Sequence, residues 1–302
     1  MEQRTTRWRC SVCSTSLELV PTERRWLCSQ GHSFDVAREG YVNLLLAQQR
    51  RSRIPGDPPE MVWARERFLA TGLYRALTET IVAKVSSYTP RAVLDVGCGE
   101  GHHTRALEAP EVLAFDVAKI AVAHAAKRDQ RTSYAVANAA SVPLADGVVD
   151  LCVNIFGPID SSELARVLPA GGVVVAAHPA HDHLKELRSL VYRTARPHVV
   201  KDPLRDRRDL FQLTDTHELR YRFTINEPTT ALDLFTMTPY RWHAVPQIEQ
   251  AIIEQAEVGF ELTADFVISV YRRTAQPLLR ELGYLAPPTI PHLVRIQSTA
   301  VS

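Results

Sequence analysis

The sequence predicts a doubly wound α/β sheet behind a small N-terminal metal-binding domain, and three observations carry that prediction. A glycine-rich turn, Gly97-Cys98-Gly99-Glu100-Gly101, follows Val93-Leu94-Asp95-Val96, a run apolar but for one acid. A second apolar run, Val112–Phe115, stops at Asp116, 21 residues beyond Asp95. Ahead of both, Cys10-x-x-Cys13 and Cys28-x-x-x-His32 stand fourteen residues apart.

The cysteine pattern comes first in the chain. Zn²⁺ takes four soft or borderline ligands at tetrahedral corners, and ligands paired two or three residues apart let two tight turns supply them. Cys10, Cys13, Cys28 and His32 are the candidate ligands. Three thiolates and one imidazole leave no open position, so the metal is structural. About forty residues hold too little core to fold alone, and bound metal supplies most of the missing free energy. Three of the five cysteines fall in the first 28 residues, which does not resemble a disulfide framework and fits a reducing cytoplasm.

Charge separates this domain from the rest. The 302 residues carry a net +1 with 45% hydrophobic and 23% charged side chains. Residues 1–53 hold nine arginines against five acids, a net of +4, which leaves the remainder at −3. Basic charge gathered on an N-terminal module points to phosphate, and Arg50-Arg51-Ser52-Arg53 is its densest stretch. No apolar run approaches the roughly 18 residues of a membrane helix, and the N-terminus lacks the apolar core of a signal peptide. The expected division is a zinc-binding RNA-recognition domain over 1–45 and a catalytic domain over 46–302, with 46–60 as linker around Pro55-Gly56. Helical periodicity then runs over 60–85, interrupted near Gly72.

The core follows. Val93–Val96 reads as a buried parallel strand that turns sharply into a helix, and glycine lets backbone approach a ligand there. The G-x-G-x-G spacing differs from the dinucleotide G-x-G-x-x-G and lacks the Lys-Ser/Thr of a phosphate loop. S-adenosylmethionine, which carries adenosine without phosphate, fits this turn better. Asp95, Gly97, Cys98 and Gly99 form its near wall. Asp116, at the second strand's end, is placed to accept both ribose hydroxyls. The third strand, Ser133–Ala137, leads to Asn138 and Ala139, where adenine lies. The fourth, Val148–Phe156, aims its end at the methyl group. Pro169-Ala170-Gly171-Gly172 opens the fifth, Val173–Ala177. Together these segments predict the class I S-adenosylmethionine-dependent methyltransferase fold, a Rossmann-like sheet.

At this point the residues match a known family. The stretches concerned include C-x-x-C, C-x-x-x-H-x-F-D, Glu39-Gly40-Tyr41-Val42-Asn43-Leu44-Leu45, R-S-R-x-P-G-D, L-D-V-G-C-G-E-G, His183-Leu184-x-Glu186-Leu187 and Met237-Thr238-Pro239-x-x-Trp242. Through them nearly the whole chain resembles the bacterial 23S rRNA guanine-N1 methyltransferases with an N-terminal zinc-binding domain. That family spans housekeeping enzymes and relatives that confer resistance to tylosin-type macrolides. The resemblance implies a cytoplasmic homodimer acting on a 23S rRNA hairpin. It implies zinc on the four ligands above and cofactor contacts at Cys98, Gly99, Tyr74 and His183. Residues 178–183 contain three histidines, and the match singles out His183. After the fourth strand the family carries Ile/Val-Tyr/Phe-Ala-Pro where this chain has Ile155-Phe156-Gly157-Pro158, beside the expected base pocket.

Guanine N1 carries a proton and is paired in a duplex, so its methylation requires extrusion of the base, loss of that proton and in-line attack. Asn154 is a candidate to hold the guanine edge through its amide, and Asp160 a candidate proton acceptor. Two rivals share parts of this pattern. A small-molecule methyltransferase needs no basic zinc module, and a non-catalytic zinc RNA-binding protein needs no intact glycine turn.

Overall fold

The computed structural model describes residues 5–49, 56–192 and 202–275. The Arg50–Arg53 run lies outside the described residues. Strands β1 (Thr5–Arg9), β2 (Ser16–Val20), β3 (Arg25–Cys28) and β4 (Ser33–Asp35) form an antiparallel sheet in sequence order. Its two ligand-bearing turns need left-handed backbone, supplied by Ser14 at φ 60° and Gly31 at φ 83°. Leu17, Cys10 and Cys28 are buried within this ribbon, and Trp8 reaches into the larger core, where its indole N–H donates to Ser133 Oγ at 2.9 Å.

The ribbon does not stop at its own sheet. Strand β5 (Val42–Asn43) bridges back to Val36 and pairs in parallel with the main sheet. The last residues of the expected 1–45 domain therefore belong to the core's hydrogen-bond ladder. Arg7 also forms an ion pair with Glu111 of the core.

Helices α1 (Pro59–Ala70) and α2 (Arg75–Ser86) are the two halves of the periodic 60–85 segment, parted by Gly72 at φ 80°. The remaining elements are β6 (Ala92–Val96), β7 (Glu111–Asp116), α3 (Lys119–Arg128), β8 (Ser133–Val136), β9 (Leu151–Ile155), α4 (Ser161–Val167), β10 (Val173–Pro179), α5 (Lys185–Val191), β11 (Phe211–Ile225), α6 (Pro228–Thr236), α7 (Pro246–Glu257) and β12 (Phe260–Arg273). The eight-stranded order is β11-β12-β10-β9-β6-β7-β8-β5. Strands β5 to β10 run parallel, and β12 enters antiparallel between β10 and β11. Every residue of β6 is buried, as a strand covered on both faces requires. Apolar side chains pack on both faces, with Phe68, Leu77, Leu187, Phe235 and Phe266 on one and Trp8, Leu94, Leu164 and Tyr271 on the other.

One local expectation fails. The glycine turn does not lead into an α-helix; the chain makes only a 3-10 turn, Thr104–Ala106. Pro110 lies nine residues beyond Gly101, and Leu107 is already extended at ψ 132°. Proline restricts the residue before it and cannot continue a helix, so no helix could run on through Pro110 into β7.

Candidate active site and metal centre

Strand order places a crevice where β6 and β9 part company, because β7 and β8 continue one way from β6 while β9 and β10 continue the other. Ligands of open α/β sheets bind outside the carboxyl ends of the strands at such a point. Gly97, Gly99 and Gly101 all take positive φ, at 79°, 54° and 77°. The amides of Gly97 and Cys98 both donate to the Phe115 carbonyl, at 2.9 and 3.0 Å. The Gly99 amide donates to Asp116 Oδ2 at 3.0 Å. Asp116 Oδ1 accepts from the Ala118 amide at 2.8 Å, so this carboxylate is oriented by two backbone donors. The Ala137 amide donates to the Asp116 carbonyl at 3.1 Å, which sets Asn138 and Ala139 beside it. Asn138 Oδ1 then closes a turn on the Ala140 amide.

Asp95 is buried at the base of the turn and accepts a 2.6 Å bond from Thr104 Oγ1. Burial, helped by the charges of Asp116 and Glu100, pushes its carboxyl up to about 7. Glu100 is buried too, and burial holds its carboxyl above the ordinary range. Its Oε2 has no hydrogen-bond partner among the described residues. A glycine cradle, a strand-end carboxylate and a buried acid with one oxygen outside any hydrogen bond among the described residues together suit a ligand with diol and ammonium groups, as S-adenosylmethionine has.

Sequence reasoning missed Arg65. On α1 it forms an ion pair with Asp57, and a Cβ built at Gly99 would lie 3.6 Å from its Nη1. Gly56 takes φ 79°, and a Cβ there would stand 2.8 Å from the Ala118 Cβ. Glycine thus lets the chain press onto the start of α3 and deliver Asp57 to Arg65.

The opposite wall is aromatic. Tyr74 is buried at the N-terminus of α2, with Phe68, Phe223 and Phe266 edge-on around its ring at 4.9 to 6.0 Å. Its hydroxyl lies 3.4 Å from His183 Nε2. His183 Nδ1 accepts from the Asp265 amide at 3.3 Å, which places the proton of the neutral ring on Nε2. Asn154 is buried and donates through Nδ2 to the Val96 carbonyl at 2.9 Å, spending one of its two N–H groups. Asp160 sits differently from the rest. Its Oδ1 accepts from the Ser162 and Glu163 amides, at 3.0 and 3.1 Å, as the N-cap of α4, an arrangement worth about 1 kcal/mol.

In the ribbon, one ligand atom from each of Cys10, Cys13, Cys28 and His32 falls within 4.8 Å of all the others. Sγ of Cys28 is 3.6 Å from Sγ of Cys13 and 3.3 Å from His32 Nδ1. Amides of Val12 and His32 point at Cys10 and Cys28 sulfurs, at 3.4 and 3.3 Å. Burial opposes ionisation of Cys28, but the amides of Gln30 and His32 and the His32 ring outweigh it, bringing the thiol down to about 6. The donor set and its spacing fit tetrahedral Zn²⁺.

Comparison with known proteins agrees with this geometry. Residues 8–53 match the family model for the RlmA N-terminal zinc ribbon, and residues 93–172 match a methyltransferase domain. The chain is 32% identical to a 23S rRNA (guanine(748)-N(1))-methyltransferase of Streptomyces fradiae, over 87% of this chain and 96% of the relative. It is 34% identical to a putative 23S rRNA (guanine-N(1)-)-methyltransferase of Micromonospora griseorubida with the same coverage. A third such relative, from Bacillus subtilis strain 168, is 26% identical, again over 87% and 96%.

Proposed function

The chain belongs to the family of 23S rRNA (guanine-N1)-methyltransferases, and from that premise we propose how its residues share the work. The enzyme transfers a methyl group from S-adenosylmethionine to N1 of a guanine in 23S rRNA, and Zn²⁺ holds its N-terminal ribbon. The observation that carries this reading is the joining of a Cys₃His ribbon to the sheet that forms the cofactor cradle, through β5 on β8.

Bound S-adenosylmethionine supplies a methyl group already activated by its sulfonium. What the protein adds is position, charge and dryness. Asp116 holds the ribose, Asn138 and Ala139 border the adenine, and Gly97, Cys98 and Gly99 admit the methionine portion. Arg65 faces the carboxylate of that portion, while Asp95 and Glu100 face its cationic side. Tyr74 and His183 close the aromatic wall. Asn154 offers its remaining amide groups to the guanine edge. Asp160 Oδ1 caps the first turn of α4, and its second oxygen, Oδ2, is read as the acceptor of the N1 proton.

The substrate is read as an rRNA hairpin, held by the ribbon and by Arg50, Arg51 and Arg53. Arginine forks suit phosphate oxygens, and a base must leave its stack to meet the cofactor. The working form is read as a cytoplasmic homodimer, in line with the resemblance of the whole chain. Within it, residues 1–45 act as the RNA-recognition domain, 46–60 as linker and the rest as the methyltransferase.

Methyl-labelled cofactor offered to 23S rRNA and to a low-molecular-weight cell extract decides the substrate class. Label should enter rRNA, and nuclease digestion should release it as 1-methylguanosine. Label confined to small molecules would sink the assignment.

A further inference from the structure

We propose that Phe156 is the platform on which the extruded guanine stacks. This rests on the reading of 23S rRNA as substrate and names the residue that receives the base. Four observations lead to it.

Phe156 directly follows β9, at the carboxyl edge where the cofactor turn lies. A Cβ built at Gly97 would be 3.7 Å from the Gly157 Cα, so the two loops touch. Phe156 is also out of character for its type. It is 45% exposed, whereas the other eight phenylalanines are buried or half-buried. Its backbone is left-handed, φ 59°, a conformation that clashes for a bulky residue. The strain is held in place on both sides. The Phe156 amide donates to the Ala177 carbonyl at 3.0 Å. Gly157 is pressed so close to Asn154 that a Cβ would lie 2.8 Å from Nδ2.

Finally, the ring is backed. It leans on Phe266 at 5.7 Å between centroids and 36° between planes. Phe266 in turn lies 4.6 Å from His183 and 5.1 Å from Tyr74. Phe156 therefore stands at the outer end of the aromatic wall, rigid on one side and open on the other.

Folding gives no reason to expose a phenylalanine in a strained conformation; strained residues held by their surroundings gather at functional sites. A base pulled from an RNA stack loses its neighbours, and an aromatic face restores one of them whatever the base. Asn154, two residues earlier near the end of β9, then meets the edge of a ring whose plane Phe156 has fixed.

The test uses the zinc-loaded full chain and the variants Phe156→Ala, Phe156→Gly, Phe156→Tyr and Phe156→Trp. Three quantities are measured: S-adenosylmethionine affinity by calorimetry, the thermal midpoint, and methylation of 23S rRNA at saturating cofactor. Phe156→Ala should lose roughly 5- to 150-fold in kcat/KM for rRNA, the range of one base–aromatic stack, at parental cofactor affinity. Tyr and Trp should restore it. Phe156→Gly should be as inactive as Phe156→Ala yet melt no lower than the parent, because glycine accepts the left-handed backbone. Parental kcat/KM in Phe156→Ala, or a Trp variant as defective as Ala, overturns the platform alone. So does a fall in cofactor affinity that accounts for the whole loss. A parent that methylates no 23S guanine overturns the substrate reading and the platform with it.

Discussion

The Tyr74 hydroxyl stands 3.4 Å from His183 Nε2 across 109 residues of sequence, tying the start of α2 to the loop after β10. With Nδ1 occupied by the Asp265 amide, the imidazole is held at both nitrogens. The start of α2 and the antiparallel strand β12 thus meet at one ring, which in the proposed site borders the cofactor crevice.

Zinc is the first test of the ribbon. One equivalent of Zn²⁺ per chain should be found in purified protein, and Cys28→Ala should lose it. Structural zinc contributes on the order of 10 kcal/mol in small modules. Since Trp8 and β5 are built into the core, removal should also lower the thermal midpoint of the whole protein. Full metal content in Cys28→Ala, measured by atomic emission, would contradict the ligand assignment.

Two substitutions probe the cradle. Arg65→Ala removes a charge-assisted contact, and S-adenosylmethionine affinity should fall by about 10- to 100-fold. Gly99→Val forces a β-branched residue toward φ 54° and toward Arg65, and should also weaken the cofactor. Calorimetry returning the parental Kd for either variant would refute the placement of the methionine portion.

The buried acid predicts a pH signature. Asp95 titrates near 7 in the folded chain, above its ordinary carboxylate range when unfolded. A group raised on folding binds more protons in the folded state between its two pKa values, so stability drops as pH rises through that window. Asp95→Asn keeps the size and the Thr104 contact without the charge. In cofactor-free protein, the variant's thermal midpoint relative to the parent should rise from about pH 5 to pH 8, by at most about 3 kcal/mol in free-energy terms. A flat or falling difference would show that Asp95 is ionised throughout.

Salt separates phosphate contact from mere surface charge. Changing Arg50, Arg51 and Arg53 to alanine should weaken rRNA binding and flatten the slope of log K against log salt by about 2. Cofactor affinity should not change. A triple variant that binds and methylates rRNA like the parent at every salt concentration makes the run a solvated loop.

Much of this molecule was legible because periodicity and glycine spacing are local. The five core strands, the break at Gly72, the cysteine and histidine ligands and the approach of Asp116 to the turn could all be read along the chain. The long β11–β12 ribbon could not, since its strands are separated by two helices and neither carries a motif. The helix expected after Gly101 is absent because the chain is already extended at Leu107, which no local pattern in the sequence announces. Arg65 and Phe156 were unreadable for a different reason. An arginine on a helix looks the same whether it faces solvent or a ligand, and no sequence pattern announces a left-handed phenylalanine.

The two residues of β5 also have a bearing on synthesis. The ribbon emerges from the ribosome before any strand of the main sheet, and with metal it has the means to fold early. Its final segment finds its partner only after Ser133–Val136 has been made, and then covers what is otherwise the bare side of β8. An open parallel edge is a template for intermolecular pairing during the slow closure of non-local contacts. The N-terminal module thus acts as a tethered guard for the nascent sheet, present at high local concentration before the vulnerable strand exists.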